Sequence, residues 1–436
     1  MMDTPIGQLL FDPAGEYANF NLQDQTALRL LGKDWVSIYQ FGATGTDPAI
    51  KPLQVNFFDE AQRPLTRTII EMVLAGEKAG YIDNFRAIEL GDPERGEFPD
   101  GTDGENEFRR TMVHRGRTRV AFYALLAKAG YSVPQNWAGI RFSIKGDLAD
   151  RCLAAAANCL TKGTGSAAGT ATVRTGAGLT AFMDWVVGNW TNVDVADFGK
   201  DEQFKAVKAV YDKSGGSVAF NRLAANRQFH NPVAARDYCD EIYDELSLGK
   251  IVIVDLSRGD ESAIQVLSER IVNRLIERAS SRFAHGDAPK KMQVFVEEAH
   301  RLFDRAEFAK REKDPWVRLA KEAAKYEIGL VYATQEVSSV EERVLANTHN
   351  WVVAHLNSKR EIRELSNYYD FASFADDILR SEDRGHARIK TLSGKFIVPV
   401  QIERFDHSLI NQARASAGLA PVTIDAGGKV IIPEDG

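Results

Sequence analysis

The chain has 436 residues, of which 44% are hydrophobic and 26% charged, and these ordinary fractions exclude wholesale disorder. A formal net charge of −7 excludes a uniformly basic nucleic-acid-binding surface but allows a local basic channel. The cysteines, Cys152, Cys159 and Cys239, include no CxxC pair and are too few for a disulfide framework. Because no apolar stretch reaches the roughly 18 residues of a membrane helix and no signal peptide is recognisable, we expect a cytoplasmic protein.

The first 79 residues predict the beginning of an α/β core. Residues 7–11 form an apolar run that ends in a Pro/Gly turn, which is typical of a buried strand. Two further strand-like runs follow at 35–41 and 53–58, and a helix-like stretch covers 65–79.

Residues 80–248 predict a mainly helical insertion subdomain. Amphipathic stretches lie at 106–129, 147–161, 178–190, 201–213 and 232–246. The Gly- and Thr-rich run 161–170 separates two of them and is typical of a flexible connector.

Residues 249–406 predict the second part of the core. Apolar strands at 251–256, 292–296, 329–334 and 351–355 alternate with helices at 262–280 and 315–326. This alternation is typical of a parallel sheet covered on both faces. A hairpin is expected across 384–403, and the tail 407–436 is expected to be peripheral.

Acidic side chains follow the strand at 292–296. Glu297 and Glu298 come directly after the apolar run, at the strand end where open α/β sheets bind ligands. One carboxylate can bind Mg²⁺ through its water shell, and the next, on the other side of the pleat, can activate water. The pattern predicts a Walker B strand of an ATPase, with Glu297 as the metal ligand and Glu298 as the catalytic base.

Polar side chains also follow the strand at 329–334. Thr334 and Gln335 are expected to lie beside the acidic pair, where they can orient the attacking water and sense the γ-phosphate of ATP. The alternative is a helix-capping threonine followed by a surface glutamine.

Together these segments resemble the HerA-like branch of the HerA–FtsK ATPases. The resemblance covers roughly 1–75 and 245–406, and includes the motif LFDPAGEY at 10–17 and the two strand ends described above. It implies a RecA-like core, ATP and Mg²⁺ as cofactors, and a homohexamer that moves on DNA with a nuclease or another effector protein, in end resection or antiviral defence. Asp12 and Glu16 are then expected near the bound nucleotide.

The sequence departs from that family in its phosphate loop. No GxxxxGK[ST] motif is present, although backbone amides and a lysine of that motif normally hold the phosphates. In the family this loop precedes the strand at 7–12. We expect that the sequence is a fragment that lacks the loop and the first core strand. Such a fragment is expected to fold poorly and to hydrolyse no ATP. Its sheet is expected to show a break between the strands at 329–334 and 351–355. A degenerate, non-hydrolysing relative is the alternative.

A second departure concerns the arginine that reaches the neighbouring subunit's nucleotide. Ala324 stands where the family commonly has that arginine. Arg318, Lys321 or Lys325 can replace it in binding nucleotide, and the alternative is a solvated basic helix face.

Two further features have open interpretations. The arginines at 109, 110, 115, 117 and 119 either contact DNA phosphates or form a solvated helix face. His300 is interpreted as a hydrogen-bonding group and not as a metal ligand, because no partner ligand has usable spacing. The preferred hypothesis is an ATP-dependent DNA translocase or helicase, and the alternative is a non-hydrolysing scaffold subunit that binds an effector.

Overall fold

The computed structural model describes residues 5–21, 25–41, 50–74, 76–191, 195–234, 236–259, 261–308, 314–380, 385–425, 430, 431 and 433. The chain divides into a first compact unit, residues 1–53 with 238–436, and a second compact unit, residues 54–237. The boundaries between the two units, at 53/54 and 237/238, lie earlier in the chain than the expected boundaries at 79/80 and 248/249. The helix at 63–73 belongs with the residues that follow it, and Arg63 donates a 2.8 Å hydrogen bond to the carbonyl of Leu90.

Helices and strands are numbered in chain order. The first segment of the first unit contains β1 (Gly7–Asp12), β2 (Val36–Gln40) and β3 (Ile50–Pro52). The second unit contains α1 (Arg63–Val73), α2 (Gly80–Arg86), α3 (Thr102–Lys128), β4 (Ile140–Ser143), α4 (Gly146–Ala155), β5 (Thr161–Lys162), β6 (Thr170–Val173), α5 (Gly176–Gly188), α6 (Glu202–Tyr211) and α7 (Val218–Ala225). The first unit continues with α8 (Tyr238–Ser247), β7 (Ile251–Asp255), α9 (Glu261–Ala284), β8 (Met292–Val296), α10 (Arg305–Phe308), α11 (Pro315–Glu322), β9 (Ile328–Tyr332), α12 (Glu342–Leu345), β10 (Trp351–Val353), α13 (Lys359–Ser366), α14 (Ala375–Arg380), β11 (His386–Lys390), β12 (Val398–Gln401), α15 (His407–Ser416), β13 (Thr423–Ile424) and β14 (Val430–Ile431).

The core of the first unit is a six-stranded sheet in the order β3-β2-β7-β1-β8-β9, with every neighbouring pair parallel. Its centre is fully apolar, since Val252, Ile253 and Val254 of β7 are completely buried. Such continuous burial is expected of a parallel strand covered on both faces. The predicted α/β fold class is therefore confirmed: a parallel sheet core with a mainly helical insertion and a C-terminal hairpin.

Two predicted strands are placed differently. The run 53–58 forms no strand; β3 ends at Pro52, and Val55 makes only an isolated bridge with His230. The run 351–355 does not join the parallel sheet, because β10 pairs antiparallel with β11, with Val352 opposite Ile389. The hairpin β11–β12 completes this separate sheet. The strands β9 and β10 thus belong to different sheets, with β9 at the edge of the parallel sheet, and the expected gap between two strands of one sheet is not what the structure shows.

The two faces of the parallel sheet are covered to different extents. On one face, Phe11 of β1 packs edge-on against Trp316 of α11, with ring centroids 5.3 Å apart. Trp316 is placed by the start of α11, where the Asp314 carboxylate accepts a 2.8 Å hydrogen bond from its backbone N–H and Pro315 occupies the first turn. On the other face, Leu10 and Phe295 are only half-buried and line a cleft of about 290 Å³.

The tail is not peripheral, contrary to expectation. Ile410 of α15 is completely buried with Leu30 in one apolar cluster. Arg414 is also completely buried, and its guanidinium donates 2.6 Å hydrogen bonds to the carbonyls of Leu30 and Ala420. The amphipathic spacing of 407–416 can predict a helix. It cannot predict the residues on which that helix packs, because Leu30 lies far away in the sequence.

The second unit contains a small antiparallel sheet in the order β4-β6-β5. The run 161–170 is therefore not a flexible connector, since it supplies β5 and the start of β6. Nearby, the sulfur atoms of the buried Cys152 and Cys159 lie 3.3 Å apart as free thiols.

The last two arginines of the cluster on α3 have a structural role. Arg117 and Arg119 are buried, so neither the DNA-binding nor the solvated-face interpretation applies to them. Arg119 forms a 2.8 Å ion pair with Asp92, and Arg117 donates to the carbonyl of Ser143 at 3.1 Å. Arg109 forms an exposed helical pair with Glu105 at 2.8 Å.

An aromatic cluster surrounds His230 in the second unit. The imidazole ring lies 5.5 Å from the ring of Phe57 and 5.6 Å from that of Tyr131, measured between centroids. Its Nδ1 accepts a 3.1 Å hydrogen bond from the backbone N–H of Phe57, and its Nε2 donates to the carbonyl of Ser132 at 2.7 Å. Both ring nitrogens are thus satisfied in the neutral Nε2–H tautomer.

Candidate active site

The turn after β1 is built on the buried carboxylate of Asp12. Its oxygens accept hydrogen bonds of 2.8–2.9 Å from the backbone N–H groups of Glu16, Tyr17 and Ala18. Burial raises the pKa of the Asp12 carboxyl, these hydrogen bonds oppose that rise, and the charge of Asp255 adds to it. The prediction that Asp12 binds the cofactor is therefore corrected: its carboxylate is inaccessible and anchors the turn.

Gly15 allows this turn to form. Its φ of 77° lies in the left-handed region, and a Cβ there would lie 2.9 Å from Nδ2 of Asn19. The turn presents Glu16 and Tyr17, both exposed, at the carboxyl end of the sheet.

Glu297 comes directly after β8 and is held from the neighbouring turn. The hydroxyl of Tyr17 donates a 3.1 Å hydrogen bond to Oε2 of Glu297. Burial raises the pKa of the Glu297 carboxyl, and the charges of Glu298 and Glu16 raise it further, whereas the hydrogen bond from Tyr17 lowers it. Glu297 and Tyr17 also line one end of the sheet cleft.

Glu298 is directed away from Glu297 by its backbone. The prediction attributed this divergence to the pleat of a continuing strand, but β8 ends at Val296 and Glu298 is left-handed, with φ 49° and ψ 51°. Backbone hydrogen bonds fix the segment on both sides, from Ala299 N–H to the Ala333 carbonyl at 2.8 Å and from Ala333 N–H to the Val296 carbonyl at 2.9 Å. A non-glycine residue in this conformation is strained, and such strain concentrates at functional sites.

The structure brings Thr334 and Gln335 to Glu298, as predicted from the two strand ends. The Gln335 side-chain amide donates to Oε1 of Glu298 at 3.3 Å. Thr334 contacts the site through His300, whose Nδ1 lies 3.3 Å from the threonine hydroxyl and 3.3 Å from Oε2 of Glu298. Thr334 also accepts the backbone N–H of Glu336 at 3.1 Å, but the short helix at 337–339 begins after Glu336 and has no side-chain cap, so the capping alternative does not apply to Thr334.

The basic residues predicted to bind nucleotide are not brought to these carboxylates within the described parts of the chain. Arg318 pairs with Glu322 at 3.4 Å, and Lys325 approaches the same carboxylate at 3.9 Å. Lys321 is exposed on α11. Glu322, which follows Arg318 by one helical turn, is therefore an acidic partner within the same helix.

Sequence patterns indicate no role for Tyr17 or Arg301, and they do not indicate that His300 lies beside Glu298. Arg301 donates to the carbonyl of Pro13 at 3.2 Å and so joins the two turns of the site. Tyr17 lies inside the motif at 10–17, and that position was the available signal. The direction of each side chain depends on tertiary structure and could not be read from spacing.

These residues fit a hydrated cation better than a directly coordinated metal. Oε2 of Glu297 contacts Tyr17, whereas Oε1 has no partner among the described residues, and Glu297 lines the cleft. Within those same residues no group of three or more His, Cys, Asp and Glu side chains could hold a metal ion. Mg²⁺ usually keeps several waters and takes only one or two carboxylates, so a single glutamate suffices for it.

Comparisons with known proteins give partial sequence similarity. No family model matches the sequence. The chain is 26% identical over 175 residues to the DNA double-strand break repair helicase HerA of Sulfolobus acidocaldarius, covering 39% of this chain and 34% of that protein. It is 24% identical over 178 residues to the protein of the same name from Sulfurisphaera tokodaii, with coverage of 39% and 34%. The chain spans about a third of the length of these curated relatives, whose similarity confirms the resemblance to the HerA-like branch of the HerA–FtsK ATPases.

Solved structures give weaker overall matches. The genome packaging NTPase B204 from Sulfolobus turreted icosahedral virus 2, in complex with ATP-gammaS, has a TM-score of 0.28 and 15% identity, covering 36% of this chain and 68% of that chain. The bacterial conjugative coupling protein TrwBdeltaN70 has a TM-score of 0.35 and 12% identity, covering 92% of this chain and 86% of that chain. Within the described parts of this chain, no helix combines the length and apolar character needed to cross a membrane.

Proposed function

We propose that the protein carrying this chain is an ATP-dependent DNA translocase or helicase in which Glu298 is the general base of ATP hydrolysis. Glu297 binds the water shell of Mg²⁺, and Gln335 and Thr334 align the attacking water with Glu298. Glu16 adds negative charge on the metal side.

One observation carries this proposal: Glu298 is held between the ends of β8 and β9. The amide of Gln335 and the ring of His300 contact its two carboxylate oxygens at 3.3 Å each. A general base must be fixed within hydrogen-bond reach of its proton donor, and these contacts restrict an otherwise mobile side chain. The exposed Gln335 beside it can contact a water molecule at the same time.

The proposal concerns the metal- and water-binding half of an ATPase site. The carboxylates fit a hydrated Mg²⁺, but the sequence lacks the GxxxxGK[ST] motif that would hold the phosphates. Accordingly, no contact to the phosphates is assigned to this chain.

The partners in this proposal are DNA, five further copies of the same chain in a hexamer, and a nuclease or other effector. The partial similarity to proteins named as DNA repair helicases supports DNA as the substrate. By the same resemblance, end resection or antiviral defence is the proposed setting.

The test is DNA-stimulated ATP hydrolysis by the protein expressed from its own gene, compared with its Glu298→Gln variant. Glutamine preserves the shape of the side chain but accepts no proton, so turnover is expected to fall by about 10²–10⁴-fold. Glu336→Gln is the matched control, because Glu336 is an exposed acid beyond the end of β9 whose carboxylate accepts from the Ser339 hydroxyl at 3.0 Å, and it should leave turnover unchanged. Near wild-type turnover in Glu298→Gln would remove Glu298 from the mechanism.

The missing phosphate motif favours a second candidate, a non-hydrolysing scaffold subunit. Titration calorimetry with Mg²⁺ and a β,γ-methylene ATP analogue separates the two. The motor requires saturable nucleotide binding and turnover, whereas the scaffold requires neither and should retain a stably bound effector protein.

A further inference from the structure

The imidazole of His300 lies between polar groups from two neighbouring strand ends. Its Nδ1 is 3.3 Å from Oε2 of Glu298 and 3.3 Å from the hydroxyl oxygen of Thr334. The side chain is 25% exposed, so it borders the site without being solvated freely.

The two neighbours of Nδ1 favour the tautomer that carries the hydrogen on this nitrogen. An ionised carboxylate only accepts hydrogen bonds, so Nδ1 must bear a hydrogen to contact Glu298 favourably. With the hydrogen on Nδ1, this N–H donates to the Thr334 oxygen and its positive end also lies 3.3 Å from the carboxylate of Glu298, whereas the Nε2–H tautomer would bring the Nδ1 lone pair against the carboxylate.

We propose that His300 is a positioning residue for Glu298 and connects the orientation of this carboxylate to the end of β9 through Thr334. The left-handed backbone of Glu298 directs the side chain into the site, and His300 restricts its remaining rotation. Gln335 contacts the other oxygen but also serves the attacking water, so His300 is the partner that can hold Glu298 throughout a reaction cycle. The catalytic consequence rests on the proposed ATPase function, whereas the contact itself can be measured without nucleotide.

The first test is the tautomer of His300, measured by ¹⁵N NMR on protein with labelled histidine at pH 8, where an ordinary imidazole is neutral. The His300→Asn spectrum identifies the signal by its loss. The expected result is Nδ1–H in the wild type and a return toward the Nε2–H form in Glu298→Ala. An Nε2–H wild-type ring, or a ring unaffected by Glu298→Ala, overturns the proposal whether or not the protein hydrolyses ATP.

The second test separates positioning from binding. His300→Ala is expected to lower kcat for ATP hydrolysis about tenfold and to change KM by less than about twofold. The loss in kcat is smaller than the roughly 10²–10⁴-fold contributed by a positioned base, because Glu298 itself is still present. His300→Asn places an amide N–H near the position of Nδ1 and should recover most of the loss. Thermal unfolding of both variants controls for folding. If His300→Ala does not fold, the NMR test decides, because it compares the His300 tautomer of the wild type with that of Glu298→Ala and uses His300→Asn only to identify the signal.

The outcomes distinguish the two proposals. A wild-type protein without ATP turnover contradicts the proposed function, and the tautomer measurement then still decides the role of His300. A wild-type protein with turnover that His300→Ala leaves unchanged contradicts the positioning role alone.

Discussion

The hydroxyl of Tyr17 donates a hydrogen bond to the carboxylate of Glu297, across 280 residues of sequence. The two residues follow neighbouring parallel strands, β1 and β8, whose carboxyl ends meet at the same edge of the sheet. The buried carboxylate of Asp12 accepts a hydrogen bond from the backbone N–H of Tyr17 and so fixes the position of the phenol. Tyr17 therefore connects the β1 turn to Glu297, the proposed metal ligand.

Tyr17→Phe is expected to destabilise the protein by about 1 kcal/mol or less, because the hydrogen bond reaches a charged group but is exposed to solvent. Urea unfolding followed by circular dichroism measures this difference. Tyr368→Phe is the control, since Tyr368 stacks on Trp351 and its hydroxyl has no hydrogen-bond partner among the described residues. Equal losses in the two variants would show that the contact with Glu297 contributes nothing.

Glu297→Gln is expected to raise the Mg²⁺ concentration for half-maximal ATP hydrolysis by about tenfold, because an amide attracts a hydrated cation less than a carboxylate does. Glu16→Gln removes a neighbouring charge from a more exposed position and should shift that concentration by less than about twofold. The measurement is ATP turnover against Mg²⁺ at saturating ATP. A larger shift for Glu16→Gln than for Glu297→Gln would reverse the assignment of the metal ligand.

Assembly into rings of six is expected when ATP and Mg²⁺ are present. The proposed trans-acting basic residue must reach a neighbouring subunit, and Lys321 is the better candidate because Glu322 already engages Arg318 and Lys325. Multi-angle light scattering of the natural protein at micromolar concentration measures the mass. A stable monomer under these conditions would contradict the ring, and turnover in Lys321→Ala equal to that of the wild type would exclude this lysine.

Acidification is expected to weaken the fold through His230. Burial lowers the pKa of this imidazole below the ordinary value of 6.5, so protonation favours the unfolded chain. The contribution of the neutral His230 imidazole to the free energy of unfolding is complete above pH 6.5. It is lost progressively as the pH falls from there through the lowered pKa of the folded state. A charged ring would also lose its role as acceptor for the backbone N–H of Phe57.

Urea unfolding at pH 8.0 and at pH 5.5 tests this expectation. His230→Asn should lower stability at both values but reduce the difference between them, since asparagine does not titrate. An unchanged pH dependence in His230→Asn would show that other groups cause it.

The sequence predicted the elements of the candidate site well because their signals are local. Apolar runs followed by Glu297–Glu298 and by Thr334–Gln335 indicate parallel strand ends, and parallel strand ends meet at one edge. The structure brings Gln335 to Glu298 as expected. The left-handed backbone of Glu298 could not be foreseen, because it depends on hydrogen bonds from both neighbouring turns.

Long-range packing explains the remaining errors. Arg117 and Arg119 look like solvated charges in sequence, yet Phe198 lies under one guanidinium and Asp92 pairs with the other. The strand at 351–353 has the apolar composition of a core strand, but its partner is the antiparallel strand at 386–390. Composition indicates that a segment will be buried and leaves its partner undetermined.

The docking of α15 has a consequence for how the protein is made. Arg414 reaches the carbonyl of Leu30 across 384 residues, so this contact forms only after residue 414 has been synthesised. Leu28 and Leu31 can pack earlier, against the apolar cluster that includes Val36. β1 likewise waits for β7 and β8 before it has neighbours on both sides. The parallel sheet therefore stays incomplete until both sequence segments of the first unit have been synthesised.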